Sequence, residues 1–139
     1  NDRPVTGFGA GNFYPYYMSY TVTDFQTYTS DNPERSTAHN YFLLTLVEQG
    51  FPGLIIFLIT AIAIFFYGQQ AYARATDKTH RKVLMTCMLA LVCVFVNLML
   101  SDMIETDKVG SLYYMSIAIL VVYVLKVDRD YQKQLKAAE

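Results

Sequence analysis

Long stretches without charged side chains constrain this sequence more than any other feature. No Asp, Glu, Lys or Arg occurs between Glu48 and Arg74, between Lys82 and Asp102, or between Lys108 and Lys126. A helix needs about 20 mostly apolar residues to cross a bilayer, with a range of about 17 to 25. The three stretches reach that range or its lower edge, so the sequence predicts membrane-spanning helices near residues 53–67, 83–100 and 109–125.

A soluble helical bundle is the alternative, because 53% of the 139 residues are hydrophobic. Helices that surround a soluble core carry their apolar side chains on one face, with a period of 3.6 residues. That pattern is missing from the charge-free stretches. We therefore predict an all-α membrane protein, a polytopic helical bundle with three transmembrane helices and an N-terminal extracytoplasmic loop.

The basic residues indicate how these helices are oriented. They cluster in residues 68–82 and 126–139, as Arg74, Lys78, Arg81 and Lys82 in the first segment and Lys126, Arg129, Lys133 and Lys136 in the second. Segments rich in Lys and Arg next to membrane spans stay in the cytoplasm. This rule places both segments in the cytoplasm, with residues 1–40 and 101–108 on the outer side.

The predicted organisation has three parts. Residues 1–52 form an outer loop with a short helix, residues 53–125 hold the three spans, and residues 126–139 are a cytoplasmic tail. The short helix runs through "AHNYFLLTLVEQ", with Ser36 or Thr37 as its predicted N-cap. Gly50 then supplies a left-handed C-terminal residue, and a proline follows that can open the next helix.

His39 is the candidate reactive side chain of the short helix. In the first turn, unpaired backbone N–H groups and the helix dipole disfavour an imidazolium, so we expect a neutral imidazole that can accept a proton. Eleven residues return almost to the same helix face, which places His39 and Gly50 together. The alternative is an interfacial histidine that is hydrogen-bonded within a loop.

The sequence contains no metal or nucleotide motif. Cys87 and Cys93 lie in the second predicted span without a neighbouring His or third Cys, so we expect small buried apolar side chains and no cofactor. Gly7, Gly9 and Gly11 lack the Lys-Ser/Thr of a nucleotide-binding loop. They predict a tight turn that returns the loop to the membrane, with a backbone nest for an anion as the alternative.

Two segments together resemble the O-antigen ligase superfamily of bacterial inner-membrane proteins. They are "RPVTGFGAGNF" and "AHNYFLLTLVEQGFPGLIIFL". The second segment carries the spacing from His39 to Gly50, the His39-Asn40 pair, and a Glu-x-Gly-x-x-Gly ending formed by Glu48, Gly50 and Gly53. The first has a Gly-x-Gly-x-x-x-Phe turn that begins at Gly7 and Gly9. The resemblance covers residues 3–67, and beyond them only the hydropathy is similar.

The resemblance implies a glycosyltransferase that moves a glycan from undecaprenyl pyrophosphate to an acceptor hydroxyl on a lipid or protein. The transfer reaction of the family needs neither a metal nor a nucleotide sugar. The resemblance makes His39 the base for the acceptor. Arg3 and Arg35 are the bases of residues 1–40, and either could contact the pyrophosphate, with a solvated loop arginine as the alternative. The remaining residues expected at the substrate are Asn40, Glu48, Gly50, Gly7 and Gly9. Residues 1–40 and 101–108 would be periplasmic, and the membrane would be the bacterial inner membrane.

The sequence departs from the family in one respect. The Arg-x-x-x-Leu motif of the superfamily matches neither Arg3 nor Arg35, and we expect an upstream part of the same protein to supply it. Within the family, an O-antigen polymerase and a protein O-oligosaccharyltransferase remain alternatives. Outside it, the chain would be a non-enzymatic polytopic subunit or a transporter. Asn97 is the only strongly polar side chain midway along a predicted span, which counts against transport.

Overall fold

The computed structural model describes residues 3–20, 39–101, 104 and 107–138. Within these residues the chain is α-helical and contains no strand. The helices are α1 (Phe13–Tyr20), α2 (Tyr41–Arg74), α3 (Lys78–Leu98) and α4 (Asp107–Ala138). The chain divides into two compact units: the first comprises residues 1–58 and 96–105, and the second comprises residues 59–95 and 106–139.

Three of the helices are long and apolar enough to cross a membrane, which confirms the all-α membrane class. They are α2, α3 and residues Lys108–Ala137 of α4. In the most apolar 18-residue stretch of α2, only 6% of the residues are buried. A helix that exposes so much apolar surface belongs in lipid or against further helices, since water would disfavour it strongly.

The helices are longer than the spans that the charge-free stretches predict. Helix α2 continues to Arg74 and α4 to Ala138, so the basic segment of residues 68–82 is mostly helical and only residues 75–77 join α2 to α3. Charged side chains end the apolar region, but Lys, Arg and Gln favour helix nearly as well as Leu does. The backbone hydrogen bonds of these helices therefore continue past the point where the apolar region ends.

The second unit packs α2, α3 and α4 around small and aliphatic side chains. Leu84 and Leu91 of α3 and Leu120 of α4 are almost completely buried. Gly68 of α2 faces this core, where an added Cβ would lie 3.0 Å from the sulfur of Met88 and 3.4 Å from Leu120 Cδ1. A glycine at this position lets the neighbouring side chains approach the α2 backbone closely, as small residues do in membrane helix packing.

Polar contacts secure the basic end of the second unit. Arg74 Nη1 donates to Asp128 Oδ1 at 2.8 Å, which joins the end of α2 to α4. Asp77 caps α3, because Thr79 N donates to its Oδ1 at 2.8 Å. This backbone N–H favours the carboxylate and holds the pKa of Asp77 below its usual value.

The packing at Gly68 generates a stability prediction. Gly68→Leu adds a side chain where Met88 and Leu120 leave little room, and we expect it to cost about 1–3 kcal/mol of folding free energy. Ala73→Leu makes a similar addition at an exposed position of the same helix and should be nearly neutral. Thermal unfolding in detergent checks both variants, and equal melting temperatures would contradict the close packing at Gly68.

Candidate active site

The glycine-rich loop closes over a helix terminus in the first unit. Helix α2 has a kink at Gly50, so the residues from 41 to 49 form a separate helical segment. The last carbonyl groups of such a segment have no partner within the helix. Phe8 N donates to Val47 O at 3.0 Å, and Gly9 N donates to Glu48 O at 2.8 Å. The loop therefore caps the C-terminal end of this segment.

Gly50 makes the kink possible. Its φ of 70° and ψ of −170° lie in a region that is essentially restricted to glycine. The φ is positive, as the sequence predicts, but the ψ is extended and the residue is not in the left-handed helical region. An added Cβ would lie 2.7 Å from Pro4 O and 2.5 Å from Val5 O. Phe51 N donates to Pro4 O at 2.8 Å, so the loop also caps the start of the following helical segment.

Gly7 brings the loop backbone into direct contact with the helix. Its φ is 62°, and an added Cβ would overlap the carbonyl group of Glu48. Gly7 N donates to Arg3 O at 2.9 Å, and Gly9 N is bound to the helix terminus. The loop is thus a tight turn, and the N–H groups of Gly7 and Gly9 are not available to an anion.

Glu48 lies beneath the same loop. The residue is 7% exposed, and its Oε1 accepts a hydrogen bond from Gly11 N at 2.9 Å. The Glu48 carboxylate thus holds the turn at Gly11, while backbone hydrogen bonds hold it at Gly7 and Gly9. This contact accounts for an ionisable residue beside an apolar run, and it gives Glu48 a structural role whether or not it also meets a substrate.

The N-terminal end of the helical segment is formed by Asn40. Leu43 N donates to Asn40 Oδ1 at 3.1 Å, and Leu44 N donates to Asn40 O at 2.9 Å. Asn40 is therefore the N-cap of the helix that begins at Tyr41, while Ser36 and Thr37, the predicted N-caps, lie outside the described residues. Asparagine is among the strongest N-cap residues, and the helix begins directly after it. Its Nδ2 also donates to Met99 O at 2.9 Å, which ties the start of α2 to the turn that follows α3.

His39 precedes the helix and is strained. Its side chain is exposed, and its φ of 46° makes it the only non-glycine residue with a positive φ within the described residues. This conformation is uncommon for residues with a Cβ and costs about 1–2 kcal/mol. The prediction that His39 lies in the first helical turn is wrong, and so is the helix face that it was expected to share with Gly50, because helical periodicity does not extend to a residue outside the helix.

The predicted site residues fall into two groups at opposite ends of the segment formed by residues 41–49. Near the C-terminal end are Arg3, Gly7, Gly9, Glu48 and Gly50. His39 and Asn40 lie at the N-terminal end, about 14 Å away at 1.5 Å per residue. The Arg3 side chain is exposed. Arg35 lies outside the described residues.

An aromatic cluster beside the loop was not predicted. The sequence does not predict helix α1, because its apolar residues are only weakly concentrated on one helix face and its polar and aromatic residues are typical of a loop. The rings of Phe8 and Tyr16 lie 4.2 Å apart between centroids, and those of Phe13 and Tyr17 lie 5.6 Å apart. These rings line a cavity of about 210 Å³ together with Tyr20 and Val47. Tyrosines at positions 16, 17 and 20 follow helical spacing, which was the available signal.

No group of three His, Cys, Asp or Glu side chains within the described residues is arranged to hold a metal ion. Comparisons with protein-family models, with curated proteins and with solved structures find no match to this chain.

The capping loop predicts different effects for two glycines with similar φ angles. Gly11→Ala should cost about 1 kcal/mol, because Gly11 has a positive φ but no heavy atom within 4 Å of an added Cβ. Gly7→Ala should cost about 1–3 kcal/mol more, because its Cβ would displace the loop from Glu48. Denaturant unfolding of the detergent-solubilised protein measures both, and equal losses would show that the loop does not cap the helix.

Proposed function

We propose that this chain belongs to a bacterial inner-membrane glycosyltransferase of the O-antigen ligase type. The reaction moves a glycan from undecaprenyl pyrophosphate to an acceptor hydroxyl on a lipid or protein. The observation that carries the proposal is the exposed imidazole of His39, held in a strained conformation directly before the Asn40 cap. Backbone strain concentrates at functional sites, and the motif that resembles the family centres on this residue.

His39 is the proposed general base. In its unprotonated form the imidazole takes the proton of the acceptor hydroxyl while the acceptor oxygen forms a bond to the anomeric carbon of the donor glycan. The bond between that carbon and the pyrophosphate oxygen breaks, and its electron pair leaves with undecaprenyl pyrophosphate. The imidazolium then returns its proton to water. General-base catalysis of this kind contributes about 10²- to 10⁴-fold to a rate.

The departing pyrophosphate needs a cation close to the reacting carbon. The acceptor oxygen must lie within hydrogen-bond reach of His39, and the leaving group is bonded to the carbon that this oxygen attacks. The leaving group must therefore also lie close to His39. The backbone of Arg3 is at the opposite end of the helical segment, whereas Arg35 precedes His39 by four residues in sequence. We therefore assign the leaving group to Arg35, whose guanidinium can bind a phosphate through two parallel hydrogen bonds.

The aromatic cavity suits an extended glycan. The lining of the cavity is apolar, so Phe8, Tyr16 and Tyr17 offer ring faces that can pack against the carbon skeleton of a sugar. The cavity lies at the capped end of the helical segment, about 14 Å from His39. At that distance it would contact sugars beyond the one that reacts, in either the donor or the acceptor.

In the proposed topology, residues 1–40 and 101–108 are periplasmic, while residues 68–82 and 126–139 are cytoplasmic. The support is the distribution of basic residues, which are concentrated at the α2–α3 connection and in the last part of α4. This arrangement places His39 and the glycine loop on the side where lipid-linked glycans are transferred in the family that the sequence resembles. The partners are then the lipid-linked donor, the acceptor and the membrane.

The catalytic role predicts a large loss of activity for His39→Asn. Asparagine tolerates a positive φ, so the variant keeps the backbone conformation while it removes the base. We expect attached surface glycan to fall about 10²-fold or more, with full-length glycan accumulating on undecaprenyl pyrophosphate. The measurement compares both glycan pools in native cells at matched expression, with His80→Asn as a control at the other histidine of the chain.

Other outcomes of this experiment distinguish the alternatives. Carrier-bound chains that shrink to single repeats would identify a polymerase. Loss of glycan from a protein, with surface lipid glycan unchanged, would identify a protein O-oligosaccharyltransferase. Unchanged glycan in every pool would reject the enzymatic role of His39 and favour a non-enzymatic membrane subunit.

The assignment of the leaving group predicts unequal effects for the two arginines. Arg35→Gln should reduce glycan transfer by about tenfold or more, since the loss of one charge-assisted contact costs about 1.5–3 kcal/mol. Arg3→Gln should have a smaller effect, because its backbone lies at the far end of the segment. Transfer is measured with matched amounts of both variants in isolated membranes, and a larger loss for Arg3→Gln would overturn the assignment.

A further inference from the structure

A basic pocket lies on the flank of α3 in the second unit. Its volume is about 360 Å³, and it is lined by Tyr72, Arg81, Lys82, Met85 and Thr86. The pocket lies where the charged first turns of α3 meet its apolar part, which begins at residue 83. The proposed transferase chemistry does not use these side chains. The position marks a boundary between a charged and an apolar environment.

The charges of the pocket are positive and unopposed. Arg81 stacks its guanidinium on Tyr72, with 4.6 Å between the guanidinium carbon and the ring centroid. No carboxylate lines the pocket, and neither Arg81 nor Lys82 forms an ion pair within the part of the chain that the structure describes. A guanidinium held against an aromatic face keeps N–H groups for an oxyanion. This differs from Arg74, whose charge is paired with Asp128.

An apolar stripe continues from the pocket along α3. Met85, Leu89 and Val92 follow one another at spacings of four and three residues, so they lie on one helix face. Their exposed fractions are 39%, 58% and 45%. The stripe belongs to a helix that is long and apolar enough to span a membrane. Positive charge at one end and exposed apolar surface along the rest match an anionic amphiphile in shape and in charge.

We propose that this surface binds an anionic phospholipid. Its phosphodiester lies against Arg81, Lys82 and the hydroxyl of Thr86, and one acyl chain lies along the Met85–Leu89–Val92 stripe. Basic pockets beside transmembrane helices bind anionic headgroups in this way. A zwitterionic lipid brings an ammonium group that finds no carboxylate in the lining, so the pocket selects lipids with net negative charge. The site is independent of the glycan chemistry.

The test uses the intact protein purified in a nonionic detergent. Native mass spectrometry counts bound lipid during titration with dioleoyl phosphatidylglycerol and, separately, with dioleoyl phosphatidylcholine. We expect phosphatidylglycerol to bind more tightly. The variant with Arg81→Gln and Lys82→Gln should lose about 25-fold in affinity for it, about fivefold for each base. Lys82→Gln alone, at an exposed position, should lose about fivefold and remains informative if the double variant fails to fold.

A matched control separates a site from general charge attraction. Lys133→Gln with Lys136→Gln removes the same net charge from α4, outside the pocket, and should leave the affinity unchanged. Equal losses in the two double variants, or equal binding of the two lipids, would overturn the proposal. Inorganic phosphate that displaces phosphatidylglycerol at equal concentration would also overturn it, since the apolar stripe would then contribute nothing.

Discussion

The first unit depends on one set of backbone hydrogen bonds, those between the glycine loop and the interrupted helix α2. A helix that breaks at its entry into the apolar region leaves carbonyl and N–H groups without partners, and a buried unpaired group costs about 1–3 kcal/mol. Phe8 and Gly9 satisfy the carbonyls before the break, and Pro4 O satisfies Phe51 N after it. The kink at Gly50 and the loop therefore require each other.

This mutual dependence explains why glycines are concentrated in both segments. At Gly7 a side chain would overlap the helix terminus, and at Gly50 it would meet the carbonyl oxygens of the loop. Glu48 adds a side-chain contact to Gly11 N, which closes the turn from the helix side. The motif that resembles the O-antigen ligase superfamily thus combines residues with different physical roles. Those at the glycine end hold the backbone together, whereas His39 lies at the other end and is exposed.

The strain at His39 is maintained by its neighbour. Asn40 caps α2 through its side-chain oxygen and binds the turn after α3 through its side-chain nitrogen, so its position is determined from two directions. A positive φ costs about 1–2 kcal/mol at a residue with a Cβ, and such a cost persists only where the surroundings impose it. The exposed His39 therefore lies directly before a cap that is held from two sides.

The amino-acid sequence by itself determined the helical class, the three apolar helices and the break near Gly50. These features follow from local chemistry, namely the absence of charge over a span length and the backbone freedom of glycine. The sequence did not predict helix α1 or the positions at which the long helices end. An apolar stretch ends at the first charged residue, whereas helix propensity continues past it. Only the tertiary structure decided that His39 lies outside α2, that Glu48 binds the loop, and that the two ends of the motif are separated. These depend on hydrogen bonds between residues far apart in the chain, such as Asn40 to Met99 and Gly11 to Glu48, which no local pattern encodes.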